Sequence, residues 1–143
     1  MKSMIITLAA VLLTACGSSP TPSGVATTIT VNGATRTFRL VVPSNPPSSA
    51  MPLVLAFHGG GGRESAFPQE EAFGQLAEQE GFIIAYPLAE LLAGNEGEWQ
   101  LNTIPERRHD MAFVEAVIDH ISAQHTIDAT RVYATGYSLG SMF

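Results

Sequence analysis

The sequence predicts an α/β domain built on a mostly parallel sheet, with an antiparallel hairpin at its N-terminal side. Three observations predict it. Residues 53–57, 82–86 and 132–135 are short continuous apolar runs, the pattern of strands buried on both faces. Two helical periodicities, at 70–80 and 110–124, alternate with those runs. An Asn32-Gly33 pair joins two β-branched stretches ahead of them. Alternating strands and helices of this kind put helices on both faces of a parallel sheet. No internal repeat is present, and 143 residues suit a single domain.

Residues 1–15 read as an export signal. Lys2 supplies the positive start, residues 5–13 are apolar but too short to span a bilayer, and Leu13-Thr14-Ala15-Cys16 supplies small residues at a cleavage point. This stretch resembles the bacterial lipoprotein signal. The resemblance implies cleavage before Cys16, a lipidated thiol and attachment to a membrane, the outer one included. The alternative is a buried N-terminal helix with a core cysteine, but the residues after Cys16 break helices. Cys16 is the only cysteine, so no internal disulfide forms. Two acyl chains, at roughly 0.8 kcal/mol per buried methylene, hold a protein firmly to a bilayer. Cleavage would leave six basic residues against 13 acidic, a charge of −7. That balance argues against nucleic acid as a partner of the folded domain.

Residues 16–24 are a Gly/Ser/Pro-rich tether with nothing apolar to bury. The domain proper is expected over 25–143. Residues 25–31 alternate and suit a strand, Asn32-Gly33 suits a tight hairpin turn, and residues 36–42 return with Phe38, Leu40 and Val42 on one face. The proline-rich 43–52 connects to the first buried run. The helix at 70–80 is expected to turn Ala72, Phe73, Leu76 and Ala77 inward and to end at Gly81. Pro87 stops the second run, and 88–109 is long and irregular. The helix from Asp110 takes that residue as N-cap. It buries Phe113, Val114, Val117, Ile118 and Ile121 and turns Glu115, Asp119 and His120 outward.

Chemistry concentrates in two motifs. Gly136-Tyr137-Ser138-Leu139-Gly140 follows the third buried run. A serine on a sharp strand-to-helix turn stands clear of its backbone, and the residues two before and two after must be glycine-sized. The bland alternative is a glycine-rich turn with an idle serine. His58-Gly59-Gly60-Gly61-Gly62 ends the first buried run. Backbone N–H groups in such a loop can stabilise a developing oxyanion. A Walker-type phosphate loop would need Lys and Ser/Thr where Arg63-Glu64 stand.

Together, residues 36–143 resemble the N-terminal half of an α/β-hydrolase. They are most similar to the polyhydroxybutyrate depolymerase and feruloyl/acetyl-xylan esterase group. The residues carrying the likeness are 57–61, Ala85-Tyr86-Pro87, Trp99, 110–114 and 131–140. The resemblance implies an exported serine hydrolase that cleaves carboxylic esters, polymeric ones included, through an acyl-enzyme and without metal or organic cofactor. It implies Ser138 as nucleophile, Leu139, Gly59 and Gly60 as the oxyanion hole, His58 as a brace of the oxyanion loop, and Gly136 and Gly140 as the elbow glycines. There are departures: no cysteine beside the oxyanion loop, no Asp-Gly after Tyr86-Pro87, and Ser141 where glycine is common.

A serine needs a histidine base and an acid to orient it, and this fold supplies them in the order Ser, Asp/Glu, His. Both are expected beyond Phe143. Residues 16–143 alone are therefore expected to be unstable and inactive. His58, Asp110 and Ser138 occur in the order of a different protease fold, but His58 belongs to the loop and Asp110 to a helix start. His109, His120 and His125 have no metal-ligand spacing. Trp99 has two readings, a wall of the substrate cleft or an anchor for the long loop. Arg107-Arg108 reads as a solvated face. A peptidase or thioesterase on the same fold, or a non-catalytic envelope lipoprotein, are the other functional classes.

Overall fold

The computed structural model describes residues 24–60, 67–90, 99–100 and 109–143. The expected export signal, Cys16, the tether up to residue 23, Gly61, Gly62 and Arg107-Arg108 lie outside the described residues.

The hairpin forms as expected. Strands β1 (Val25–Val31) and β2 (Ala34–Val41) pair antiparallel, with Val31 opposite Ala34. Asn32 (φ 50°) and Gly33 (φ 81°) both take the left-handed conformation that a two-residue turn of this kind requires. There follow β3 (Met51–Phe57), helix α1 (Glu70–Glu80), β4 (Ile83–Pro87), helix α2 (His109–Ser122), β5 (Ile127–Gly136) and a 3₁₀ turn, Ser138–Ser141. The sheet order is β1-β2-β4-β3-β5. β3 pairs in parallel with β4 and β5, while β2 joins β4 antiparallel. The sheet is thus mixed, with its parallel part at β4-β3-β5.

Side-chain alternation divides the apolar residues between the two faces. Phe38, Leu53, Leu55, Phe57, Ile83 and Ala85 pack with Phe113, Val117 and Ile121 of α2. Val41, Ala56, Ile84 and Tyr86 pack with Phe67 and Ala77 on the α1 side. β3 and β4 therefore bury both faces, as their continuous apolar runs predict. Each large side chain so buried contributes on the order of 1.5–3 kcal/mol. Gly81 ends α1 in the left-handed conformation (φ 72°), its N–H donating to Ala77 O at 3.0 Å.

Three details differ from the sequence reading. First, α1 buries Gly74 and Ala77 with Phe73 beside them, whereas Ala72 is exposed and Leu76 is 43% exposed. The helix lies on the sheet through a stripe narrower than its apolar residues would allow. Second, Asp110 is not the N-cap of α2. The helix starts at His109, and Asp110, wholly buried in its first turn, is engaged elsewhere. β5 pairs with β3 among the described residues, and its Tyr133 is 54% exposed. Ile127 and Val132 still pack on the α2 side. The third difference is His120, expected outward but half-buried, with its ring edge-on to Phe38 at 5.7 Å.

Among the described residues no helix is long and apolar enough to cross a membrane.

Candidate active site

β5 runs straight into a tight turn that presents Ser138. Its φ of 50° is one of two positive values outside glycine among the described residues. A side chain held there costs about 1–3 kcal/mol, so the surroundings must impose it. They do so by backbone contact. A Cβ on Gly136 would stand 2.2 Å from Gly140 O, and one on Gly140 would stand 2.4 Å from both Phe57 O and His58 O. Tyr137 N–H donates to Phe57 O at 3.0 Å, tying the turn to the end of β3. Gly140 N–H donates to Tyr137 O at 3.0 Å and Phe143 N–H to Leu139 O at 3.2 Å, which begins the helical path after the serine. Ser138 itself is exposed. Leu139 N–H lies in the first turn, where N–H groups have no partner within the helix.

The end of β3 lies over this turn. A Cβ on Gly59 would be 3.3 Å from Ser138 Cβ and 3.1 Å from Tyr137 Cδ1, so glycine permits the close approach. Gly59 is buried and Gly60 exposed. His58, 3% exposed, sits beneath. Its Nε2 accepts the N–H of Ala89 at 3.0 Å, so the proton is on Nδ1, which donates to Gly59 O at 2.6 Å. The Gly59–Gly60 peptide is trans, so with Gly59 O turned to the imidazole, the N–H of Gly60 points away from it. Burial chiefly holds the His58 pKa below its ordinary value. The Gly59 hydrogen bond opposes this, the Arg39 charge adds to it and the Asp110 charge opposes it. With both ring nitrogens engaged, neutral His58 has no lone pair to serve as a base for Ser138.

Trp99 is 3% exposed. Its Nε1 donates to His58 O at 2.8 Å, and its ring stacks on Phe143 (5.0 Å, 18°) and meets Phe57 edge-on at 5.3 Å. Of its two readings, this geometry is that of an anchor. Trp99 holds the end of β3 and the segment after the elbow to the same core.

The fold thus brings together Ser138, Leu139, Gly136, Gly140, His58, Gly59 and Gly60 at the C-terminal ends of β3 and β5, with Trp99 underneath. Sequence reasoning missed a buried ion pair behind them. Arg36 Nη2 lies 2.5 Å from Asp110 Oδ1, and both side chains are almost wholly buried. The signal was available: Arg36 shares the inward face of its strand with Phe38 and Leu40, and Asp110 lies on the stripe of Phe113, Val117 and Ile121. Opposite charges on two inward faces call for each other.

A family model described as Esterase PHB depolymerase matches residues 36–143. The chain belongs to this family. Curated relatives of this chain include a bifunctional acetylxylan esterase/xylanase of Neocallimastix patriciarum. It is 32% identical over 114 residues, covering 78% of this chain and 15% of the relative. A poly(3-hydroxyalkanoate) depolymerase C of Paucimonas lemoignei is 30% identical over 105 residues, covering 70% and 24%. The chain spans between 15% and 34% of the curated relatives it matches. Among solved structures, an acetyl xylan esterase from Aspergillus awamori superposes with a TM-score of 0.63 at 24% identity, over 82% of this chain and 44% of that one. A thermostable esterase superposes at 0.59 and 20% identity, over 82% and 34%. These likenesses show the fold, an α/β-hydrolase architecture of which this chain covers about half or less.

Proposed function

We propose that this chain carries the nucleophile elbow and the oxyanion loop of a carboxylic ester hydrolase. The observation that carries the reading is Ser138 at a left-handed φ, exposed on a turn closed by Gly136 against Gly140, with Gly59 seated over it. Family membership supports the reaction class. Ser138 Oγ attacks the ester carbonyl, and the N–H groups of Leu139 and Gly60 hold the resulting oxyanion. The alcohol leaves with a proton, and water then releases the acid from the acyl-serine. The proton passes through a histidine held by a carboxylate, both from the protein outside residues 1–143, so these residues alone do not turn over ester. No metal or organic cofactor takes part.

The names of the relatives direct attention to polymeric esters, acetylated xylan and poly(3-hydroxyalkanoate). The N-terminal residues support export and lipidation at Cys16. The test uses the full-length protein. A fluorophosphonate probe is expected to label Ser138, and Ser138→Ala is expected to lose both labelling and hydrolysis of an aryl acetate, acetylated xylan or poly(3-hydroxybutyrate). Undiminished hydrolysis by Ser138→Ala would refute the reading. Metabolic labelling with a fatty acid, lost in Cys16→Ser, tests the anchor.

A further inference from the structure

We propose that the buried Arg36–Asp110 ion pair is a positioning device for the oxyanion loop, acting through His58. The proposal rests on the reading of Ser138 as nucleophile, and adds two residues far from it in sequence. Two short arms lead from the ion pair to His58. In the first, Arg36 Nη2 donates to Leu88 O at 3.3 Å. The same peptide unit presents the Ala89 N–H that donates to His58 Nε2 at 3.0 Å. In the second, Asp110 Oδ2 accepts the N–H of Gln100 at 2.7 Å. The neighbouring Trp99 donates its indole N–H to His58 O at 2.8 Å. The guanidinium is further held 4.1 Å above the Phe113 ring. One arm holds the imidazole and the other holds the backbone of the same residue.

The first arm has a direction. Arg36 donates to the Leu88–Ala89 peptide, that peptide donates to the imidazole, and the imidazole donates to Gly59 O. The next donor in line is Gly60 N–H, on the far side of the Gly59–Gly60 peptide. Each member accepts on one side and donates on the other, so each bond polarises the next. The ion pair thus selects the Nδ1–H tautomer of His58, and that tautomer sets the plane of the peptide that offers Gly60 N–H. Asp110 neutralises Arg36, which makes its burial tolerable. Neither residue touches substrate; both act by holding a donor in place before charge develops.

The test removes the pair without leaving a lone buried charge. The double variant Arg36→Met/Asp110→Leu replaces it with apolar side chains of similar volume, a change that buried ion pairs often tolerate in stability. In the full-length protein, kcat on an aryl acetate is expected to fall on the order of 10- to 100-fold, with KM within about twofold. Nitrogen-15 NMR of labelled histidine reads the tautomer directly, independent of activity. Wild-type His58 is expected in the Nδ1–H form, and the double variant in a mixture of tautomers. Arg36→Lys, which keeps the charge but loses the planar fork, is expected to fall between the two and serves if the double variant does not fold. A folded variant with wild-type kcat, whether or not its tautomer changes, would overturn the proposal, as would a wild-type tautomer beside a lowered kcat. Failure of the Ser138 reading shows separately, as hydrolysis that survives Ser138→Ala.

Discussion

Gly136 and Gly140 meet backbone to backbone across the turn that carries Ser138: a Cβ on the first would lie 2.2 Å from the carbonyl oxygen of the second. No rotamer change relieves such a contact, because the obstructing atoms are main chain. Gly136→Ala and Gly140→Ala are therefore expected to destabilise the protein by at least about 1–3 kcal/mol, the usual cost of overpacking. Hydrolysis should fall further than stability, since the turn must open around the serine. Urea unfolding midpoints beside initial rates would check both, and an alanine variant with wild-type stability would contradict the contact.

Ser138 holds a conformation that glycine adopts freely. Ser138→Ala keeps the strain while removing the hydroxyl, and Ser138→Gly removes both. Both variants should lose hydrolysis, but the glycine variant should be more stable than the alanine variant by roughly 1 kcal/mol. Paired thermal or urea melts of the two test this, and the reverse order would show that the turn is not strained.

The Trp99 indole N–H and the His58 carbonyl form a buried hydrogen bond of 2.8 Å. Trp99→Phe keeps an aromatic ring against Phe57 and Phe143 but leaves that carbonyl without its donor. The expected loss is about 1–3 kcal/mol, the cost of an unsatisfied buried acceptor plus some packing. Comparison with Phe143→Leu, which disturbs the stack and spares the hydrogen bond, separates the two effects in equilibrium unfolding.

His58 is held neutral, with a pKa below its ordinary value of 6.5, chiefly because it is buried. Below pH 6.5 the unfolded chain takes up a proton at this position that the folded chain resists. The contribution of His58 to stability is therefore complete above pH 6.5. It declines as pH falls below that value and levels off once the folded pKa is passed. Unfolding free energies measured from pH 7.5 to 5 should show a steeper acid-side decline in wild type than in His58→Gln, which has nothing to titrate. Parallel curves would mean that His58 titrates alike in both states.

Much of this fold was legible in the sequence, for local reasons. Asn32-Gly33 can only favour a tight turn, Gly81 only a left-handed helix end, and continuous runs such as Leu53 to Phe57 are stable only where both faces are covered. The candidate elbow was legible for the same reason, since Gly136 and Gly140 record a steric demand. What was not legible depended on distant partners. Leu76 looked like a core residue because helical periodicity counts apolar residues without knowing how wide a face the sheet will cover. Asp110 looked like a cap because its position beside a helix start is local, whereas Arg36 is 74 residues away.

The sequence by itself determined the strand and helix order, the hairpin turn, the glycine elbow around Ser138 and the His58-Gly59-Gly60 loop. Each follows from the conformational limits of a few adjacent residues. Only the tertiary structure decided that Trp99 faces the core, that His58 has both nitrogens engaged and that Arg36 and Asp110 stand behind it. Those facts come from packing β2, β3 and α2 around one core, where a buried polar atom must find a partner wherever the fold brings one.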